Sequence, residues 1–493
     1  MPEADRAPVL MHISDLHRSI GEPVSNAELV AALERDLSRQ AGEDPPIPPP
    51  DALVVSGDLV MGARLDDPDP GATITAQYRQ AEELLGEITE LLFGGDRSQV
   101  VICPGNHDVD WCQARASMEI VPEADVPADV YAALAEPGSL LRWDWSDCAL
   151  YRIVDPIAYG GRMDKYRDFL NQFYGDTEVL KLPASGDDPL LVELFDRRVL
   201  IAAFNSCWEN DCFRRRGEIK PEAIARMHLD LLDQAWEYDL RIAVWHHSTV
   251  GPPSADDYLN VEQVYALIDY GFRLGLHGHQ HRSELSLHEL RRPEYGSLTV
   301  VSAGSLAAGH AELPRGANRQ YNIVELHKDL TGARVHFREI ETGGFGPRRL
   351  NSFGGRSYSD VFWDVAPSIV GTSIDSYGLN QSTMVNSAET AFQGGDDEKV
   401  LALLCPIASE LDAYGRRLLA DAATRAEEWA VFIDHYYPPV SIAEVALVVK
   451  AAVRLDDFEL ARSTVHYGGE DLGLPSPQQV ELRDWIAAEE LIR

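Results

Sequence analysis

The sequence predicts an α/β core, with helices covering its sheets, followed by a mostly helical C-terminal domain. Three observations predict it. Seven short apolar runs rich in β-branched residues alternate with longer helical patterns over the first 305 residues. Each run is apolar almost without interruption, as strands buried on both faces are. Over the last hundred residues such runs give way to apolar residues at three- and four-residue spacing, the period of a helix with one buried face.

The predicted strands are "VLMHIS" (9–14), "ALVVSG" (52–57), "QVVICPG" (99–105), "RVLIAAFNS" (198–206), "RIAVWHHS" (241–248), "FRLGLHG" (272–278) and "SLTVVSAGS" (297–305). Helices are expected between them over 26–40, 76–93 and 220–238. The stretches 42–51 and 63–72 hold too much Pro, Gly and Asp for regular elements and read as loops. Residues 110–196 read as an insertion packed over the core, with helical patches at "RWDWSDCALYRI" and "DKYRDFLNQFYG". "TGGFGPRRLNSFGGRSY" has a linker's composition, so the domains are placed at 1–345, 346–384 (linker or irregular segment) and 385–493. In the last of these, "SIAE" is a capping-box pattern and "SP" at 476–477 a helix start.

A chain of 493 residues with 45% hydrophobic and 25% charged residues can bury a large core and has an ordinary soluble composition. Its net charge of −37 disfavours an extended grip on nucleic acid or an anionic membrane. A phosphate substrate stays compatible, because bound divalent cations reverse the local field. The six cysteines form no CxxC pair and read as reduced thiols. With no signal-peptide pattern and no apolar run of about 18 residues, the expected location is the cytoplasm.

Polar groups suited to metal binding follow the predicted strands. Asp15 and His17 come after the first, Asp58 after the second, and Asn106, His107 and Asp108 after the third. His246 and His247 follow a later strand, and "LHGHQH" (276–281) brings His277, His279 and His281. Strand C-termini of α/β sheets converge on one crevice, so these groups can meet. Their donors are carboxylate, amide oxygen and imidazole without thiolate, which suits Mn, Fe or Zn. A set of Asp, His, Asp, Asn, His, His and His offers seven donors, too many for one ion with open positions and about right for two ions sharing a carboxylate.

The ordered blocks D-x-H, G-D, G-N-H-D, H-H and G-H-x-H over residues 8–340 resemble the calcineurin-like metallophosphoesterase superfamily, in a large bacterial form with an insertion and a C-terminal extension. The resemblance implies a four-layer α-β-β-α sandwich and a metal-dependent hydrolase of phosphoric esters. It implies that Asp15, His17 and His281 hold one divalent ion, that Asn106, His246 and His279 hold a second, and that Asp58 bridges them. Mn²⁺ is the expected metal, with Fe or Zn as alternatives. The resemblance favours His246 over His247, a choice the sequence leaves open. The glycine at 278 excludes His277 as a ligand. Two such ions acidify a bridging water, and the hydroxide attacks phosphorus. His107 would give a proton or hydrogen bond to the phosphate or leaving oxygen, with Asp108 orienting that imidazole or bracing its loop. The expected substrate is a phosphodiester, either a nucleotide or a nucleic acid end. Alternatives are a phosphomonoester of a protein or metabolite, and an enzyme or interaction module acting in a complex, through a protein partner or self-association of the helical domain.

Other features have plainer readings. "FRRRGE" (213–218) reads as a solvated loop, with a phosphate-binding patch as the alternative. Trp111, Trp143 and Trp145 read as anchors of the insertion, with base stacking as the alternative. Asn205, Ser206, Ser302, Gly304 and Ser305 read as closing turns beside the crevice.

Overall fold

The computed structural model describes residues 7–19, 21, 24–135, 138–175, 182–183, 187–195, 198–233, 238–251, 257–289, 296–309, 312–341, 344–349, 356–363, 388, 391–392, 395–408, 411, 413–439, 441–472 and 474–492. The chain divides into two compact units, 1–368 and 369–493.

Two sheets form the frame of the first unit. One holds strands β1 (Val9–Ile13), β2 (Ala52–Ser56) and β3 (Val100–Cys103), which run parallel, with β13 (Gln320–Leu326), β14 (Gly332–Glu341) and β15 (Gly344–Pro347) continuing it antiparallel from β1. In the other, β8 (Val199–Ala203), β9 (Leu240–Val244), β10 (Phe272–His277) and β12 (Ser297–Ser302) are parallel. Antiparallel β7 (Leu190–Leu194) and β11 (Glu284–Glu289) close its two edges.

Alternation along the second sheet shows why its strands are apolar throughout. Val199, Ile201 and Ala203 of β8 join the cluster shared with the first sheet, whereas Leu200 and Ala202 join a cluster with Ile224, Met227, Val264 and Leu267. Those last four lie on helices Pro221–Asp233 and Val261–Asp269. Successive side chains thus enter a sheet–sheet interface and a sheet–helix interface by turns. Helices Asn26–Gln40 and Pro70–Phe93 add Leu29, Leu33, Leu84 and Leu85 to the first sheet's cluster. The architecture is the α-β-β-α sandwich.

Several local expectations need correction. The helix expected from 76 starts at Pro70, because Asp69 caps it and accepts the Ala72 N–H while Pro70 supplies a pre-set first turn. In the insertion "RWDWSDCALYRI" is not helical: β5 (Leu141–Asp144) and β6 (Ala149–Ile153) form a hairpin, and β4 (Met118–Ile120) pairs with β6. "DKYRDFLNQFYG" does supply a helix, Asp164–Tyr174, whose Phe169 and Phe173 join the main core. Likewise β7 lies within 110–196 yet belongs to the second sheet, so that span is only in part an addition. Within the expected linker, β16 (Tyr358–Phe362) pairs with β14, and Trp363 donates its indole N–H to the Leu330 carbonyl at 2.8 Å. A glycine-rich composition did not reveal that pairing.

The second unit is helical, with helices Asp397–Leu404, Ala413–Arg425, Ala430–Tyr436, Ile442–Arg454, Phe458–Asp471 and Ser476–Ile492. Asp396, Ser441 and Asp457 cap three of them. Two apolar clusters hold it together, one around Leu419, Phe432 and Val448 and the other around Val445, Val449 and Val465.

Candidate metal centre

The parallel strands deliver their C-terminal ends to one place. Asp15 and His17 follow β1, Asp58 follows β2, Asn106 follows β3, His246 follows β9, and His279 and His281 follow β10. The turns are sharp: Asp15, His17, Asp58, His279 and His281 all take left-handed backbone, with φ between 43° and 75°. Non-glycine residues adopt that region at a cost and persist there when surrounding contacts enforce it. Here the Asp15 and His17 N–H groups donate to the Gly57 and Asp58 carbonyls, each at 3.0 Å.

Two glycines make the convergence sterically feasible. Gly57 has φ +93°, and a Cβ there would lie 2.6 Å from His246 Nδ1. A Cβ at Gly278 would collide with Ser14 Oγ and come within 2.6 Å of Asp15 Oδ2. The glycine inside "LHGHQH" therefore lets the β10 turn lie against the β1 turn.

Around Asp15 lie His281 (Nε2 to Oδ1, 3.2 Å) and His17 (Nε2 to Oδ1, 3.7 Å). Around Asn106 lie His246 (Nε2 to Oδ1, 3.0 Å) and His279 (Nδ1 to Oδ1, 3.1 Å). Asp58 lies between the groups, its Oδ2 at 3.6 Å from His17 Nε2 and 3.2 Å from His246 Nε2. Candidate ligand atoms fall within 4.8 Å of one another in three sets: Asp15, His17 and His281; Asp15, Asp58 and His246; and His17, Asp58 and His107. Proximity thus admits His107 beside the expected ligands.

The donor set fits divalent cations on three counts. His17 Nε2 and His281 Nε2 face each other at 2.9 Å, an approach that needs a proton or a cation between two imidazole nitrogens. Asp15 Oδ1 is fully buried and accepts no well-formed hydrogen bond from a described residue. The donors are oxygen and nitrogen, with no cysteine among them.

Without cations the charges balance internally. Burial opposes charge on His246 and His281, but the Asp58 and Asp15 carboxylates raise them to about 9. Burial would likewise raise Asp15 and Asp58, yet His281 and His246 hold these carboxyls well below the usual range. Outward-facing ring nitrogens are pinned by backbone: His246 Nδ1 meets the Ser56 carbonyl at 2.8 Å and His281 Nδ1 the Glu312 carbonyl at 2.8 Å.

The remaining histidines separate. His247 turns away, Nδ1 lying 2.9 Å from Ser206 Oγ, and burial keeps it well below its usual pKa. His277 is the last residue of β10, stacks on Trp245 at 5.8 Å, and burial lowers it to about 4. His107 lies at the cluster's edge, its ring 4.7 Å from that of His17, and its backbone N–H donates to Asp58 Oδ1 at 2.8 Å. Its Nδ1 meets the Met61 carbonyl at 2.7 Å. Asp108 instead accepts the Gly105 N–H (2.8 Å), the Leu59 N–H (3.2 Å) and the Tyr78 hydroxyl (3.1 Å). Burial, then Asp58, pushes its carboxyl up to about 7. Among the turn residues, Ser305 Oγ donates to the Asp15 carbonyl at 2.6 Å, and Asn205 Oδ1 accepts the Cys207 N–H at 2.8 Å.

Sequence reasoning missed Asp257, whose Oδ2 lies 3.7 Å from His279 Nε2. It sits in "PPSADDYLN", which carries no recognisable motif. Together with Val250, Gly251, His279, Gln280, Arg282 and Pro314 it lines a hollow of about 360 Å³.

The family model for calcineurin-like phosphoesterases matches residues 8–283, more than half of the chain. The chain belongs to that family, whose members are hydrolases of phosphoric esters. No curated protein matches it. Similar solved structures include the purple acid phosphatase PPD1 from yellow lupin (Lupinus luteus) seeds, with 12% identity and a TM-score of 0.38, over 72% of this chain and 53% of that one. The calcineurin-like phosphoesterase YfkN from Bacillus subtilis matches with 12% identity and a TM-score of 0.30, over 72% of this chain and 91% of that one. GAP50, described as the anchor in the inner membrane complex of Plasmodium, matches with 11% identity and a TM-score of 0.34, over 76% of this chain and 94% of that one. The chain thus spans about half the length of the lupin phosphatase. Among the described residues, no helix is long and apolar enough to cross a membrane.

Proposed function

We propose that this chain hydrolyses a phosphodiester, a nucleotide or a nucleic acid end, using two divalent ions, Mn²⁺ in the first instance. One observation carries the reading: Asp58 lies between two donor groups, 3.6 Å from His17 and 3.2 Å from His246, where one carboxylate can serve two ions. Asp15, His17 and His281 would hold the first ion, and Asn106, His246 and His279 the second. When bound, the pair would supply an acidified water as nucleophile and neutralise charge on the phosphoryl oxygens.

The chain's own residues do the rest. The Met61 carbonyl takes the Nδ1–H of His107 and turns Nε2 of that ring toward the reacting centre. In its doubly protonated form His107 donates from Nε2 to the leaving oxygen. Asp108 braces the turn that carries His107 and Asn106 by accepting the Gly105 and Leu59 N–H groups. The hollow beside His279 offers room for an ester group that stays on phosphorus, which favours a diester. Residues 1–345 form the catalytic domain in this reading. Six free cysteines fit a reducing cytoplasm.

The test combines metal analysis by mass spectrometry with hydrolysis of p-nitrophenyl phosphate, bis(p-nitrophenyl) phosphate, a cyclic nucleotide and an oligonucleotide in Mn²⁺. Two ions per chain and a preference for diesters are expected, with both lost in Asp58→Ala. His107→Ala should keep its ions and lose about 10²- to 10⁴-fold in turnover. Fewer than two ions, with wild type no better than Asp58→Ala, would sink the catalytic reading. A monoester preference would replace the diester, and an ion lost from His107→Ala would make His107 a ligand.

A further inference from the structure

Three consecutive arginines, Arg214, Arg215 and Arg216, follow β8. The outer two are neutralised: Arg214 Nη1 lies 2.6 Å from Glu209 Oε2, and Arg216 Nε lies 3.7 Å from Glu218 Oε2. The middle one differs. Arg215 is exposed, and among the described residues none pairs with it through a hydrogen bond or a salt bridge. Its guanidinium carbon stands 5.3 Å from the centroid of Trp111, and Trp111 stacks on His107 at 6.2 Å.

Through Trp111 and His107, Arg215 is tied to one edge of the candidate centre. His107 groups with His17 and Asp58. Arg215 is thus a cation at the His107 edge of the cluster. It also lies one ring beyond His107, too far out for the phosphoryl group that reacts and placed for the next anion along.

We propose that Arg215, mounted on Trp111, binds a second phosphate of the substrate, so that the preferred substrate is a short nucleotide chain rather than an isolated diester. This rests on the phosphoesterase reading above. A guanidinium presents a planar fork that matches phosphate bidentately. Cation–π contact with an indole face orients that plane while leaving its N–H edge open. An arginine paired with an aromatic ring is also how single strands are held without regard to sequence. In a chain of net charge −37, a cation with no salt-bridge partner among the described residues, at the edge of the centre, is a local exception that draws phosphate in. One such clamp suits a strand end, because an extended duplex needs many phosphate contacts.

The experiment compares p-nitrophenyl thymidine 5′-phosphate with and without a 3′-phosphate, in wild type, Arg215→Ala and Arg215→Lys, with Mn²⁺. Wild type should favour the 3′-phosphorylated ester. Arg215→Ala should lower the ratio of the two kcat/KM values about 10- to 100-fold, mainly through KM, and Arg215→Lys should restore part of it. A ratio unchanged by Arg215→Ala overturns the proposal. Were wild type to cleave neither ester, the phosphoesterase reading would fall by itself. Calorimetry with thymidine 3′,5′-bisphosphate and Mn²⁺ then decides Arg215: equal affinity in wild type and Arg215→Ala overturns it, and a loss of about tenfold or more supports it.

Discussion

The strand ends around Asp58 and the C-terminal helices solve opposite problems. In the helical unit the local rules are largely obeyed, with left-handed backbone at Glu427 and Asp456 between helices. Asp396, Ser441 and Asp457 accept the N–H groups of Lys399, Glu444 and Leu460, and the clusters beneath are apolar. At the strand ends the same rules are broken together. Five non-glycine residues take left-handed backbone, and two fully buried carboxylates sit among histidines. Local consistency makes a fold secure, and its violation marks where a protein keeps its chemistry.

Buried charge away from the centre offers the strongest way to break that contrast. Arg338, 1% exposed, holds the fully buried Asp36 through bonds of 2.6 and 2.9 Å and also reaches Glu43. Arg338→Leu leaves the Asp36 charge to Arg39 and the Tyr321 hydroxyl and should cost about 4 kcal/mol, seen as a lower denaturant midpoint. A cost under about 1 kcal/mol would mean that buried charge is tolerated generally, not only where the surroundings enforce it. For the helical unit the matching cut is apolar. Leu419→Ala should cost about 3 kcal/mol by leaving a cavity beneath Phe432. Hydrolysis by the first unit should persist; its loss would show that the two units work as one.

A pH series sharpens the contrast further. In metal-free protein His246 and His281 are raised to about 9, above the ordinary value of 6.5. Their pairing with Asp58 and Asp15 therefore stabilises fully below about 6.5 and is lost as pH climbs through about 9. After chelation, stability should fall by about 2 kcal/mol between pH 7 and 9.5, read from urea midpoints. Mn²⁺ should abolish the fall, and an equal fall with Mn²⁺ present would count against these imidazoles as ligands. The smallest effect belongs to a single cap: Ser441→Ala should cost about 1 kcal/mol. A cost above about 3 kcal/mol would show the helices to be as finely balanced as the strand ends.

Much was legible in the sequence because some signals are local. All seven apolar runs overlap strands, since a strand buried on both faces has nowhere to put polar residues. Strands with mixed character were missed: β13 and β14 read "QYNIVEL" and "GARVHFREIE", and β16 reads "YSDVF". β13 and β14 form a local hairpin whose polar residues interrupt the apolar run, β13 also pairs with the distant β1, and β16 follows a glycine-rich stretch. Dependence on distant contacts likewise hid Asp257 and left His246 and His247 equivalent on paper.

By itself the sequence determined the residue types, their order and their places after strands, because metal chemistry demands particular donors and strand ends bring them to one edge. Only the tertiary structure decided which ring faces inward. Ser206 takes His247 away, and the Ser56 carbonyl turns His246 toward Asp58. It also set Arg215 apart from its two neighbours in "FRRRGE", because only the folded chain gives Arg214 and Arg216 their carboxylates and places Arg215 over Trp111. Which donors a chain owns is a property of its covalent order; which of them meet depends on contacts between residues up to 266 positions apart.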